Sequence, residues 1–219
     1  MRPLFFVLFT FLSVVVAQGA PKNLSLVKQV LRRYQKSEAV EIKISKKVHL
    51  SLLDETKESS GKLVLSKGRL RMEIEPPDES LLVMNKNIIW LATPTPEELG
   101  GKTQVLKIPS SKLSQQSRAP IAFLLGKESV WDQFVVQGEE RKNSVTELKL
   151  KQKSSKEKAD IKSVNLWIDH KNQRIEKLAY KDELDNETSY RFLETDFKAK
   201  PEDKKFEYVP PKDSEVTEY

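Results

Sequence analysis

Proton transfer or nucleophilic attack would have to start from very few residues in this chain. It holds two histidines, His49 and His170, and no cysteine. A catalytic pair would require both to meet in space beside a nucleophile. Instead, His49 falls on the polar side of a long alternating run, and His170 follows Asp169 in a turn. Both read as exposed polar residues. Seven glycines, one of them Gly19 near the N-terminus, form neither a phosphate-cradling loop nor a serine elbow. The acidic clusters Asp182-Glu183-Asp185-Glu187, Glu97-Glu98 and Glu139-Glu140 lie in turns and lack the ligand ladder and turning glycine of a calcium loop. The lysines at 149, 151, 153, 156, 158 and 162 alternate as the solvent side of a half-buried strand does, diluted by Glu157 and Asp160. The residues therefore predict no enzyme, no catalytic residue, no metal, no cofactor and no nucleic-acid partner, which leaves a role without catalysis.

The elements that must carry such a role are mostly strands. Arg2 followed by the apolar run Leu4–Val16 and the small residues Ala17-Gln18-Gly19-Ala20 has the form of a cleaved secretory signal, predicted over residues 1–19. Without Arg2 the net charge falls from +6 to +5. Export without a lipidated cysteine or a second apolar span predicts a soluble protein beyond the inner membrane, taken as a monomer. Leu24, Val27, Val30, Leu31 and Tyr34 recur at helical spacing, so residues 24–36 read as an amphipathic helix with Asn23 or Ser25 as its cap. From Val40 to Leu52 the even positions are apolar except Lys46, a long one-sided strand.

The stretch from Gly61 to Trp90 is the most legible. Leu63 and Leu65 alternate with polar neighbours, Lys67-Gly68 turns the chain, and Leu70, Met72 and Ile74 share one face. Pro76-Pro77-Asp78-Glu79 interrupts the ladder, since proline has no N–H to donate. Two apolar runs, 80–84 and 88–92, follow around Asn85-Lys86-Asn87. Further strands are predicted at 105–108, 134–136, 145–151, 164–168, 175–180 and 188–192, with a frayed tail over 212–219. Residues 119–126, Ala-Pro-Ile-Ala-Phe-Leu-Leu-Gly, suit a short helix with almost no polar face, either a core helix or a cover. The fold class is mainly β (α+β): one antiparallel sheet of about eleven strands with more apolar area than its helices could cover by solid packing.

Several blocks resemble the LolA-type periplasmic lipoprotein carriers. They are Lys67-Gly68-Arg69-Leu70-Arg71-Met72, Pro77-Asp78-Glu79-Ser80-Leu81-Leu82-Val83, the segment at Pro120, Trp131-Asp132-Gln133-Phe134, and Phe206-x-Tyr208-x-Pro210-Pro211. Lys67 stands where the family has arginine, and Leu70 and Met72 replace its aromatic pair, so the member is divergent. The resemblance covers nearly all of the mature chain and assigns 20–211 to one carrier domain. It implies a strongly curved, incomplete barrel, with an N-terminal helix and a short lid helix over an apolar cavity that holds lipoprotein acyl chains in transit. On that basis the cavity wall would comprise Leu63, Leu65, Leu70, Met72, Ile74, Leu82, Met84, Ile89 and Trp90. Pro120, Ile121, Phe123, Leu124 and Leu125 would form the lid, with Lys67 as its latch. Implied partners are acylated lipoproteins, an inner-membrane ABC-type lipoprotein-release complex and an outer-membrane receptor lipoprotein. The alternatives are a periplasmic lipid or glycolipid binder and a lipid-sensing regulatory protein of the same fold.

Overall fold

The computed structural model describes residues 24–112, 121, 125, 128–153 and 161–218. The expected signal sequence and the lid positions Pro120, Phe123 and Leu124 lie outside them.

The amphipathic run forms helix α1 (Ser25–Lys36), and its stripe Val27, Val30, Leu31 and Tyr34 is buried. The helix starts from Leu24, whose side chain makes no capping hydrogen bond; the cap candidate Asn23 lies outside the described residues. Tertiary contacts hold it instead. The Ile175 N–H donates to the Tyr34 hydroxyl at 3.0 Å, and Arg33 donates to the Gln173 carbonyl at 3.0 Å. The Arg33 guanidinium also lies 3.7 Å from the centre of the Phe197 ring. Burying each large apolar side chain of the stripe contributes about 1.5–3 kcal/mol.

The strands are β1 (Val40–Leu50), β2 (Glu55–Ser66), β3 (Arg69–Ile74), β4 (Ser80–Met84), β5 (Ile88–Pro94), β6 (Thr103–Pro109), β7 (Phe134–Lys142), β8 (Val145–Gln152), β9 (Ser163–Asp169), β10 (Arg174–Lys181), β11 (Glu187–Asp196) and β12 (Glu215–Glu218). Among the described residues they make one open, curled sheet in the order β12-β6-β5-β4-β3-β2-β1-β11-β10-β9-β8-β7. Two antiparallel meanders thus meet where β1 pairs with both β2 and β11. Lys67 (φ 48°) and Gly68 (φ 77°) both take left-handed backbone at the β2–β3 turn, matching the strand twist. At Gly61 a Cβ would meet the Glu73 carbonyl oxygen at 2.5 Å, so only glycine lets β3 approach there.

Four strand expectations change. β1 ends at Leu50 instead of Leu52, which lies exposed in the following turn. β2 begins at Glu55, six residues before Gly61, because polar 55–60 pairs along β1 down to Leu50–Glu55. β7 continues through the polar stretch 138–142. Among the described residues the sheet has twelve strands instead of eleven, and the twelfth lies in the tail expected to fray. β12 runs parallel to β6, the one parallel pairing among the described strands. Gln104 and Lys107 hold it through Glu215 (2.6 Å) and Glu218 (2.7 Å). All four of its residues are exposed, so apolar patterning gave no signal for it.

Candidate functional site

Direct opposition across strands places side chains on a common face. Val40, Leu65, Leu70, Met84, Ile89 and Ile108 form one such row, and Ile42, Leu63, Met72, Leu82, Leu91 and Leu106 the next. Ile74 lies opposite Gly61, which in turn faces Ile44. Eight of the nine wall candidates (Leu63, Leu65, Leu70, Met72, Ile74, Leu82, Met84 and Ile89) therefore share this inner face. All eight belong to one buried cluster, together with the α1 stripe, Trp131 and Phe134. Ile121 and Leu125, both helical, are buried in the same cluster. Met72 and Met84 suit a ligand of irregular shape because the unbranched thioether adapts to it.

Trp90 does not belong to that wall. It pairs with Val83 and Lys107, one residue out of phase with Ile89, so it points through the opposite, outer face. There it packs at 5.7 Å (ring centroids) against Tyr208. Val64 and Val83, both buried, lie on this outer face, and it is here that the C-terminal segment is bound. The Arg69 guanidinium sits 4.4 Å from the Phe206 ring and pairs with Asp203 at 2.7 Å, while Arg71 donates to the Lys205 carbonyl at 3.2 Å. The Phe206-x-Tyr208 motif thus anchors the segment to the outside of the sheet. An open cleft of about 630 Å³ beside it is lined by paired charges, among them Glu41, Arg71, Glu73 and Lys205, a lining unsuited to hydrocarbon.

Lys67 is exposed at the tip of the β2–β3 turn. A small recess joins it to Leu65, Met84, Tyr34, Gln35 and Leu125, so the latch candidate and one lid candidate border the same space. Among the described residues the buried Gln35 side-chain nitrogen has no hydrogen-bond partner. Burial pushes the Tyr34 hydroxyl up to about 12, which keeps it neutral beside the recess.

A charge also lies on the inner face. Lys46 is opposite Tyr190, which is opposite Leu178. Its side chain is 13% exposed and ion-pairs with Asp78 of the β3–β4 turn. That turn is tied down by the Asp78 N–H donating to Ser59 Oγ at 3.1 Å. Burial, and for Tyr190 the neighbouring Tyr180, raises the pKa of both tyrosine hydroxyls. This end of the face is therefore polar but net neutral. The histidines stand at opposite ends of the sheet: His49 near the end of β1, 3.1 Å from Thr56, and His170 in the β9–β10 turn against Thr146.

Comparison with known proteins gives this geometry a family. The family model described as outer membrane lipoprotein carrier protein LolA matches residues 35–209. No curated protein matches the sequence. Among solved structures, an uncharacterized conserved protein from Thermus thermophilus is 15% identical, covering 88% of this chain and 99% of its own, with a TM-score of 0.50. A DUF1329 family protein from Desulfovibrio piger ATCC 29098 is 15% identical over 84% of this chain and 95% of its own (TM-score 0.46). The LolA superfamily protein NE2245 from Nitrosomonas europaea is 13% identical over 86% and 99% (TM-score 0.43). At such identities the likeness to the first of these concerns the fold alone. The family match spans α1's last residues, both meanders and the Phe206-x-Tyr208 anchor, and on it the chain belongs to the LolA family of outer membrane lipoprotein carrier proteins.

Proposed function

We propose that this protein is a periplasmic carrier that shelters the acyl chains of lipoproteins against the inner face of its curled sheet and ferries them from the inner to the outer membrane. The observation that carries this reading is the two continuous cross-strand rows of Leu, Ile, Val and Met in a chain of the carrier family. Residues 1–19 would direct export and be removed. An inner-membrane ABC-type release complex would load the protein, and an outer-membrane receptor lipoprotein would unload it.

Hydrocarbon burial contributes about 0.8 kcal/mol per methylene, so one long chain gives affinity enough for transport, and several together would be held too tightly to release without an opposing term. Ile121 and Leu125 supply that term. Seated in the core, they must leave it for a chain to enter, and their return offsets part of the cost of release. Lys67, at the edge of the recess that Leu125 shares, would hold the lid. An ammonium lacks the planar fork of the family's arginine, so this latch should be the weaker one. In the variant Lys67→Arg, ligand release should slow; an unchanged release rate rules the latch out.

The direct test is mass spectrometry of the ligand that co-purifies with the protein from its native periplasm. Acylated lipoproteins are the expected result. Free phospholipid or glycolipid alone would replace the carrier by a lipid binder, and a signalling partner alone would replace it by a sensor.

A further inference from the structure

We propose that the end of the sheet away from Lys67 carries a membrane-inserting tip, formed by Leu52 and Leu53 of the β1–β2 hairpin and Leu184 of the β10–β11 turn. These side chains are 85%, 70% and 64% exposed. Single exposed leucines are ordinary on protein surfaces. Here two adjacent ones cap a hairpin whose tip would normally hold Gly, Asn, Asp or Ser, and a third stands on the neighbouring turn.

The two tips are joined and ordered. The Ser51 N–H donates to Asn186 Oδ1 at 3.0 Å. Asp182 fixes Asn186 in turn, accepting from its N–H and from its side-chain amide, each at 2.9 Å, and also accepts from the Leu184 N–H at 2.9 Å. Leu53 N–H donates to the Leu50 carbonyl at 3.2 Å. The hairpin extends past β3 on one side and ends level with the β10–β11 turn on the other, where β1 pairs with β11 out to His49–Glu187. β3 pairs with β2 only from Gly61 onward, whereas β1 and β2 stay paired out to Leu50–Glu55. At about 3.3 Å per residue, the hairpin reaches roughly 20 Å beyond the end of β3.

The chemistry of the tips selects the occupant. A specific protein interface buries roughly 1,000 Å² or more across a complementary surface. Three leucines on two convex turns offer neither the area nor the shape. A bilayer requires no matching contour, only apolar side chains that reach past their polar flanks. The flanks hold four lysines (Lys47, Lys57, Lys162, Lys181) and seven acids (Asp54, Glu55, Glu58, Asp182, Glu183, Asp185, Glu187). The contact is therefore apolar in origin and does not depend on anionic lipid. It extends the carrier reading, on which it rests, by giving the protein its own contact with a target membrane.

The test is flotation of the protein with phosphatidylcholine vesicles, paired with Leu53→Trp and acyl-brominated lipid as a depth probe. Quenching of the new tryptophan is expected. Changing Leu52, Leu53 and Leu184 together to Ser should weaken vesicle binding by about tenfold or more, with thermal stability and binding of a triacylated lipopeptide unchanged. Absence of quenching, equal binding by the triple variant, or binding only when phosphatidylglycerol is added would each overturn the proposal, as would a dimer that the serine changes dissociate. Failure of lipopeptide binding with vesicle binding intact would instead sink the carrier reading alone.

Discussion

Replacing Leu125 by Ala separates a lid from ordinary core. Leu125 is helical, 4% exposed and packed in the cluster that includes the inner sheet face. If it is simple core, truncation leaves a cavity, lowers stability by about 2–5 kcal/mol and damages the ligand site with it. If it must leave before a chain can enter, the same truncation removes part of what the ligand has to displace. Three methylene-sized groups at about 0.8 kcal/mol each amount to roughly 2 kcal/mol, or about a 30-fold gain in affinity. Stability and affinity then move in opposite directions. Thermal unfolding of the empty protein gives the first quantity, and titration with a fluorescent triacylated lipopeptide gives the second. A melting temperature that falls together with affinity, or an unchanged affinity, refutes the displacement argument.

Other outcomes follow from the same geometry. Trp90→Ala should destabilise the protein by about 2 kcal/mol, less than a fully buried aromatic, through loss of the Tyr208 contact, and leave lipopeptide affinity unaltered; Leu82→Ala, on the inner face, should change that affinity. Lys46→Met leaves Asp78 without its cation and should cost about 1–2 kcal/mol, moderated because Asp78 is partly solvated, whereas adding Asp78→Leu should restore much of it in a double-mutant cycle followed by denaturant unfolding. Burial alone would raise the pKa of Asp169, but hydrogen bonds from Asn172 and Lys171, with Arg174 nearby, hold it below the ordinary aspartate value. A depressed folded pKa means its stabilisation is complete above the unfolded value near 3.9 and is lost as pH falls through the folded one. Asp169→Asn should therefore flatten the acid limb of a stability–pH curve, and an acid limb identical to that of the unaltered protein would contradict the assignment.

Period-two alternation was legible from the residues alone. It grouped Leu63 with Leu65, and Leu70 with Met72 and Ile74, and the Lys67-Gly68 turn between them fixed the register that brought the groups onto one face. The blocks at 77–83 and 206–211 carried the family. Period two fails where adjacent residues are both apolar. Ile89 and Trp90 could each have pointed inward, and only the pairing of β5 with β4 and β6 turned Trp90 outward to receive Tyr208. Polar strands were equally silent: 55–60, 138–142 and 215–218 have no apolar alternation, and they extend because a neighbouring backbone offers hydrogen bonds. Lys46 breaks the pattern of β1, and nothing local says why, since its carboxylate lies thirty-two residues on, across two intervening strands. The sequence by itself thus determined which side chains share a face and to which family they belong. Tertiary structure decided which face turns inward, what neutralises the Lys46 cation on it and which leucines stay in solvent, because those outcomes depend on strand neighbours that local periodicity does not encode.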